Sequence, residues 1–150
     1  MNEPEVSTHL ALGREGEQLA RRYLRQQGYQ IVLMNFTARL GRSFSGRPLT
    51  GEIDIVAYEG TQLCFIEVKT RRDDQYWLPE EAVNRTKQRQ IARVARRYRQ
   101  LFGLLTEPYR FDVVAIVWPH QAVPQIRLQR DYFCEPGKNK RAFSWQRLES

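Results

Sequence analysis

"GEIDIVAYEGTQLCFIEVKTR" (51–71) contains two runs that alternate apolar and other residues, joined by a short link containing Gly60. Runs of this kind read as a β-hairpin. Side chains alternate faces along a strand, so Glu52 and Asp54 share one face and Ile53 and Ile55 the other. Phe65, Glu67 and Lys69 share a face as well, opposite Cys64, Ile66 and Val68. If Glu59 to Gln62 form the connection, Tyr58 pairs with Leu63. Counting back then sets Asp54 across from Glu67 and Glu52 across from Lys69.

Two carboxylates placed opposite each other repel and weaken a hairpin unless a cation lies between them. Two cations fit. Lys69 could neutralise the pair and leave an ordinary salt-bridged surface. Alternatively a hard divalent ion could, since Mg²⁺ favours one or two carboxylates together with water and phosphate oxygens. His9 and His120 are too few and too scattered for a zinc centre, and no Gly-rich phosphate loop or serine-nucleophile motif is present.

The 150-residue chain suits one domain, 1–150, with a single core. Lys and Arg number 24 against 17 Asp and Glu, a formal charge of +7. That excess points to nucleic acid as a partner, with simple solubility as the bland alternative. No apolar run approaches the ~20 residues of a membrane span, so no membrane partner is expected. Cys64 and Cys134 match no metal spacing and are expected to be reduced, which together with the missing signal-peptide pattern places the chain in the cytoplasm.

Residues 1–6 read as a loose tail. Ser7 or Thr8 then caps a helix that runs to about Gln27 and stops at Gly28. A short strand is expected over 29–36 and a loop over 37–50, which holds three Arg, two Gly and a Pro. After the hairpin, Pro79, Glu80 and Glu81 start a helix, interrupted near 84–86, that reaches Gly103. Strands are expected over 110–118 and 124–129, and a turn-rich basic tail from about 134. This order predicts an α/β sandwich on a mixed sheet.

Two helices add candidates. In the first, Glu17 lies on the side of Gly13, Ala20 and Leu24, whose small members would let another element approach; Glu15 flanks the opposite edge. Helical geometry does not choose between them. In the second, residues 85–99 hold seven basic residues and no acid. At about 100° per residue, Arg85, Arg89, Arg93, Arg96 and Arg99 form one stripe opposite Ile91, Val94, Ala95, Tyr98 and Phe102. The stripe is either a solvated face or a row of phosphate contacts, and its lack of acidic i±4 partners favours the second. Lys87 points with the apolar side, so it either snorkels to solvent or reaches a site on the sheet.

"GREGEQLARRYLRQQGY", "GEID", "FIEVKTR", "PEEAVNRTKQRQIARVA" and "RFDVVAI", in that order, resemble the YraN-like bacterial family of the PD-(D/E)XK, restriction-endonuclease-like group, whose structural relatives include Holliday-junction resolvases. The resemblance covers roughly residues 9–118. It implies a mixed sheet of about five strands flanked by helices, and metal-dependent hydrolysis of phosphodiesters. It assigns Glu17 as the helix acid, Asp54 as the acid of the first motif strand, and Glu67 with Lys69 as the E-x-K pair. Lys87 falls where relatives carry a polar residue. Ile53 departs from the Pro of the superfamily name, and the 37–50 segment is longer than its counterpart in most members.

The expectation is therefore a Mg²⁺- or Mn²⁺-dependent endonuclease acting on DNA, with structured or branched DNA among the candidates. Asp54, Glu67 and Glu17 would hold the metal, Lys69 and Lys87 would complete the catalytic set, and the arginine stripe would bind the backbone. Relatives that cut two strands act in pairs, so a homodimer is compatible. The alternatives are an inactive nucleic-acid-binding module of the same fold and an adaptor for an acidic protein.

Overall fold

The computed structural model describes residues 3–73, 75 and 78–135. Its elements are α1 (Glu3–Gln26), β1 (Gln30–Arg42), β2 (Pro48–Glu59), β3 (Gln62–Arg71), a 3-10 helix (Pro79–Ala82), α2 (Arg85–Leu101), β4 (Tyr109–Val117) and β5 (Gln125–Phe133). The strands form one sheet in the order β1-β2-β3-β4-β5. β3 and β4 run parallel, and the other pairs are antiparallel. A parallel pair needs a crossover, and the segment carrying α2 supplies it.

One helix covers each face. On the α1 side, Ala20 and Leu24 meet Ile55, Ala57, Cys64, Ile66, Val68, Val114 and Ile116. On the α2 side, Ile91, Val94, Ala95 and Tyr98 meet Ile53, Val56, Leu63, Phe65, Phe111 and Val113. Burial on both faces explains why β3 and β4 read as nearly continuous apolar runs. The five-stranded mixed sheet with its two flanking helices is the restriction-endonuclease-like fold.

α1 begins earlier than Ser7. Residues 3–6, expected as a tail, are its first turn, and Pro4 is tolerated there because the first N–H groups of a helix have no partner inside it. The helix ends as its sequence dictates. Gly28 adopts φ 95°, its N–H bonds Arg25 O, and the Tyr29 N–H bonds Leu24 O at 2.9 Å, which together make a Schellman cap. The expected interruption near 84–86 is a break between the 3-10 helix and α2. Asn84 caps α2, its Oδ1 accepting from the Lys87 N–H at 3.0 Å.

The segment 37–50 is a ribbon, where a loop was expected. β1 continues to Arg42 and pairs with β2 back to Arg42↔Pro48. Phe36, Ala38 and Leu40 alternate inward against the α2-side core. Gly51 lets the helix settle on this ribbon, since a Cβ there would stand 2.6 Å from Val94 Cγ2. Pro48 is accommodated as the first residue of its strand. At the other end of the sheet, Asp112 is fully buried and accepts from Tyr29 Oη, Arg110 Nε and the Asp131 N–H, each at 2.9 Å. Arg110 and Arg130 both reach Glu59, fastening β4 and β5 to the β2–β3 turn. The tail from about 134 lies, beyond Glu135, outside the described residues, as do residues 1–2. Among the described residues no helix is long and apolar enough to cross a membrane.

Candidate active site

The hairpin register is the one the sequence predicts: Tyr58 pairs with Leu63 and Glu59 with Gln62. The ladder continues to Ile55↔Ile66 and stops there. Beyond that point β2 stays with β1 and the sheet forks. Asp54 sits at the fork, where its Oδ2 accepts the Val68 N–H at 2.8 Å. A side chain thus satisfies the backbone donor that a continuing strand would have paired.

The fork corrects two expectations from simple alternation. Ile53 packs on the α2 side and Ile55 on the α1 side, so they do not share a face. Met34 and Phe36, their partners in β1, divide in the same way. Between those two lies Asn35 with φ 55°, a left-handed conformation that Asn tolerates better than most residues and that turns the ribbon over at this step. Consequently Glu52 is not matched to Lys69 in a ladder, and Asp54 is not matched to Glu67.

The turn-over gathers a different set of acids. Glu17, Glu52 and Asp54 each offer a carboxylate oxygen, and these lie within 4.8 Å of one another. The Asn35 amide donates to Glu17 Oε2 at 3.0 Å and to Glu52 Oε1 at 2.8 Å, holding two of the three in place. Glu17 reaches the group because of Gly16. A Cβ at that residue would lie 1.9 Å from Thr70 Oγ1, so only glycine lets α1 approach β3 this closely. Gly13, which the sequence suggested for this task, meets nothing within 4 Å. Glu15 is exposed on the far edge.

Asp54 is half-buried, and its carboxyl is pushed from 3.8 up to about 8. Burial is the largest cause, followed by the Glu67 carboxylate and then Glu17; the Val68 N–H and Lys69 pull the other way. Among the described residues, none of the three acids has an ion-pair partner. A Mg²⁺ ion binds oxygen at about 2.1 Å, so oxygens on its opposite sides lie about 4.2 Å apart. Three hard carboxylate donors within 4.8 Å of one another, close to that span, could hold a divalent cation.

Glu67 lies on β3, near enough to Asp54 for its carboxylate to be the largest charge raising that carboxyl. It is 4% exposed, and its Oε1 pairs with Lys69 Nζ at 3.4 Å and Lys87 Nζ at 3.5 Å. Lys87 therefore reaches a site on the sheet. The 3-10 helix that precedes α2 is tied to β5 through Glu80, buried under a two-pronged contact from Arg127 at 2.9 and 3.2 Å. Burial pushes the Glu80 carboxyl up, but the Arg127 bonds and charge outweigh it and hold it low.

A model of the "Uncharacterised protein family UPF0102" matches residues 16–116, from the glycine that seats α1 to the end of β4. The UPF0102 protein of Rhodococcus jostii is 44% identical over 128 residues, spanning 85% of this chain and all of its own. That of Alkaliphilus metalliredigens is 41% identical over 107 residues, covering 71% of this chain and 85% of its own, and that of Geotalea uraniireducens is 38% identical over 133 residues, covering 89% and 97%. The chain belongs to the UPF0102 (YraN) family. That family is part of the restriction-endonuclease-like superfamily, so the forked sheet with its acids has the architecture of a nuclease.

The arginine stripe of this UPF0102 chain is only partly as expected. Arg85, Arg89, Arg93 and Arg96 are exposed. Arg99 is 4% exposed, its guanidinium stacked 3.8 Å above the Tyr109 ring and its Nε bonded to Ala95 O. It lies on the margin of the stripe, where a flat guanidinium gains more from an aromatic face than from water. Arg97 takes its place on the exposed face. With Arg39, Leu40, Arg93, Arg96 and Gln100 it lines a groove between α2 and β1. Asn35, Glu52 and Arg97 are the residues that sequence reasoning left out of the site. The Glu-x-Asp spacing of "GEID" and the unbroken Arg96-Arg97 pair were the available signals for the last two.

Proposed function

We propose that this protein is a Mg²⁺- or Mn²⁺-dependent nuclease acting on DNA. The observation that carries the reading is the trio Glu17, Glu52 and Asp54, free of ion pairs among the described residues, beside two lysines gathered on Glu67. The trio would hold the ion. When bound, such an ion lowers the pKa of a coordinated water and offsets charge developing on the scissile phosphate.

The chain's own residues supply the rest. Asn35 orients Glu17 and Glu52. Glu67 keeps Lys69 and Lys87 at the fork, where both ammonium groups meet an incoming phosphate and stabilise the added negative charge of its transition state. Both lysine side chains are 30% exposed, so the phosphate reaches them without rearrangement of the sheet. Arg85, Arg89, Arg93, Arg96 and Arg97 grip the backbone without reading sequence.

The test is a panel of end-labelled duplex, branched and single-stranded DNA and RNA incubated with Mg²⁺, Mn²⁺ or EDTA. Cutting that requires the metal and vanishes in Asp54→Asn and Lys69→Met supports the reading. Tight DNA binding with no cutting of any substrate would replace it with that of an inactive binding module.

A further inference from the structure

The turn that closes the β1–β2 ribbon carries Phe44, whose side chain is fully exposed. The turn has no use for it. Its hydrogen bonds come from the Ser43 N–H to Arg47 O, the Gly46 N–H to Ser43 O, the Ser43 and Ser45 hydroxyls, the Arg47 N–H to Ser43 Oγ, and Arg42 to Gly46 O. Phe44 takes part in none of these. The same bonds close the turn, and the ring projects from it.

What the ring would meet is written in the charges around it. Residues 37–51 contain Arg39, Arg42 and Arg47 and no acid. The base of the ribbon borders the groove formed by Arg39, Arg93, Arg96 and Arg97. An aromatic ring projecting from a basic ribbon matches a polyanion that offers flat apolar surfaces, which is a nucleic acid whose bases are unstacked. A membrane surface would be met by an apolar patch broader than one ring.

We propose that the β1–β2 ribbon is a wedge: Phe44 stacks on a base at a branch or fork in DNA while the flanking arginines hold the adjoining phosphates. This rests on the nucleic-acid reading above and narrows its substrate to DNA with an interrupted stack. Glu52 and Pro48, at the ribbon's last pair, are four residues apart on β2. At about 3.3 Å per residue, with the turn added, Phe44 stands roughly 15–20 Å from the acids. Cutting should therefore fall roughly five nucleotides from the branch, at about 3.4 Å each.

The test uses the full chain with 2-aminopurine at the branch point of a forked duplex and of a four-way junction, in Ca²⁺, with plain duplex as control. Wild type should raise the fluorescence several-fold on the branched probes, and Phe44→Trp should keep this. Phe44→Ala should abolish it and weaken branched-DNA binding about five- to 150-fold, the worth of one stacked base, while duplex binding changes less than twofold. Equal losses on duplex and branch, or no loss on either, would overturn the wedge. So would a wild-type dimer by sedimentation that Phe44→Ala dissolves without altering the fluorescence, which would make the ring a self-contact. Cutting in Mn²⁺ is scored separately. Unstacking without cutting keeps the wedge and refutes the nuclease; cutting with wild-type behaviour of Phe44→Ala does the reverse.

Discussion

Replacing Asp54 with Asn should make the metal-free protein more stable at alkaline pH. The carboxyl stands at about 8 when folded against an ordinary 3.8. The folded state thus binds a proton that the unfolded state releases between those values. Stability from that proton is present below about pH 4 and is lost as pH rises to about 8. At about 1.36 kcal/mol per pH unit, the gap from 3.8 to about 8 sets a ceiling on the order of 5 kcal/mol. Asp54 is only half-buried, so water relaxation should reduce the measured effect to about 1–3 kcal/mol. Asn keeps the size and the acceptor for the Val68 N–H, and removes only the charge.

The assay is urea unfolding of both proteins in EDTA from pH 4 to 9. Asp54→Asn should match wild type near pH 4 and exceed it by about 1–3 kcal/mol at pH 8.5. Adding Mg²⁺ at ten times its Kd should return about 1.4 kcal/mol to wild type and nothing to the variant. A variant less stable than wild type at pH 8.5 without metal would refute the reasoning, as would a difference independent of pH.

Three further outcomes are expected. Gly16→Ala drives a Cβ into Thr70 Oγ1, which should cost about 1–3 kcal/mol in denaturant unfolding and weaken Mn²⁺ binding by displacing Glu17; Thr70→Ala in the same chain should recover part of both. Glu67→Gln frees Lys69 and Lys87, and should reduce cutting at least tenfold while changing Mn²⁺ affinity less than Glu52→Gln does; the reverse ranking would assign the ion to Glu67. Each of Arg93→Ala, Arg96→Ala and Arg97→Ala should lower the slope of log K against log salt by about 0.9 on duplex DNA, equally for all sequences, whereas Arg99→Ala should leave the slope unchanged and lower stability.

The hairpin and the order of layers were legible because they rest on local rules. A two-residue turn at Gly60 and Thr61 sets the register of Tyr58 and Leu63, whereas the helix stripe left Glu15 and Glu17 open and only the family resemblance chose Glu17. The acid set was not fully legible, because counting along strands assumes that alternation continues. One left-handed residue, Asn35, reverses it in two strands at once and brings Glu52 to Glu17. The ribbon over 37–50 was hidden for a related reason. Its glycines, serines and proline serve a bulge and a turn, and they mask the inward alternation of Phe36, Ala38 and Leu40. Arg99 was misplaced because its nearest attraction, Tyr109, is ten residues away and visible only in the fold.

Calorimetric titration of Mn²⁺ into wild type, Asp54→Asn and Glu52→Gln at pH 8 tests the central claim most directly. The account predicts one site in wild type that is lost in Asp54→Asn and weakened at least tenfold in Glu52→Gln, with protons released on binding to wild type. Equal Mn²⁺ affinity in all three proteins would contradict it.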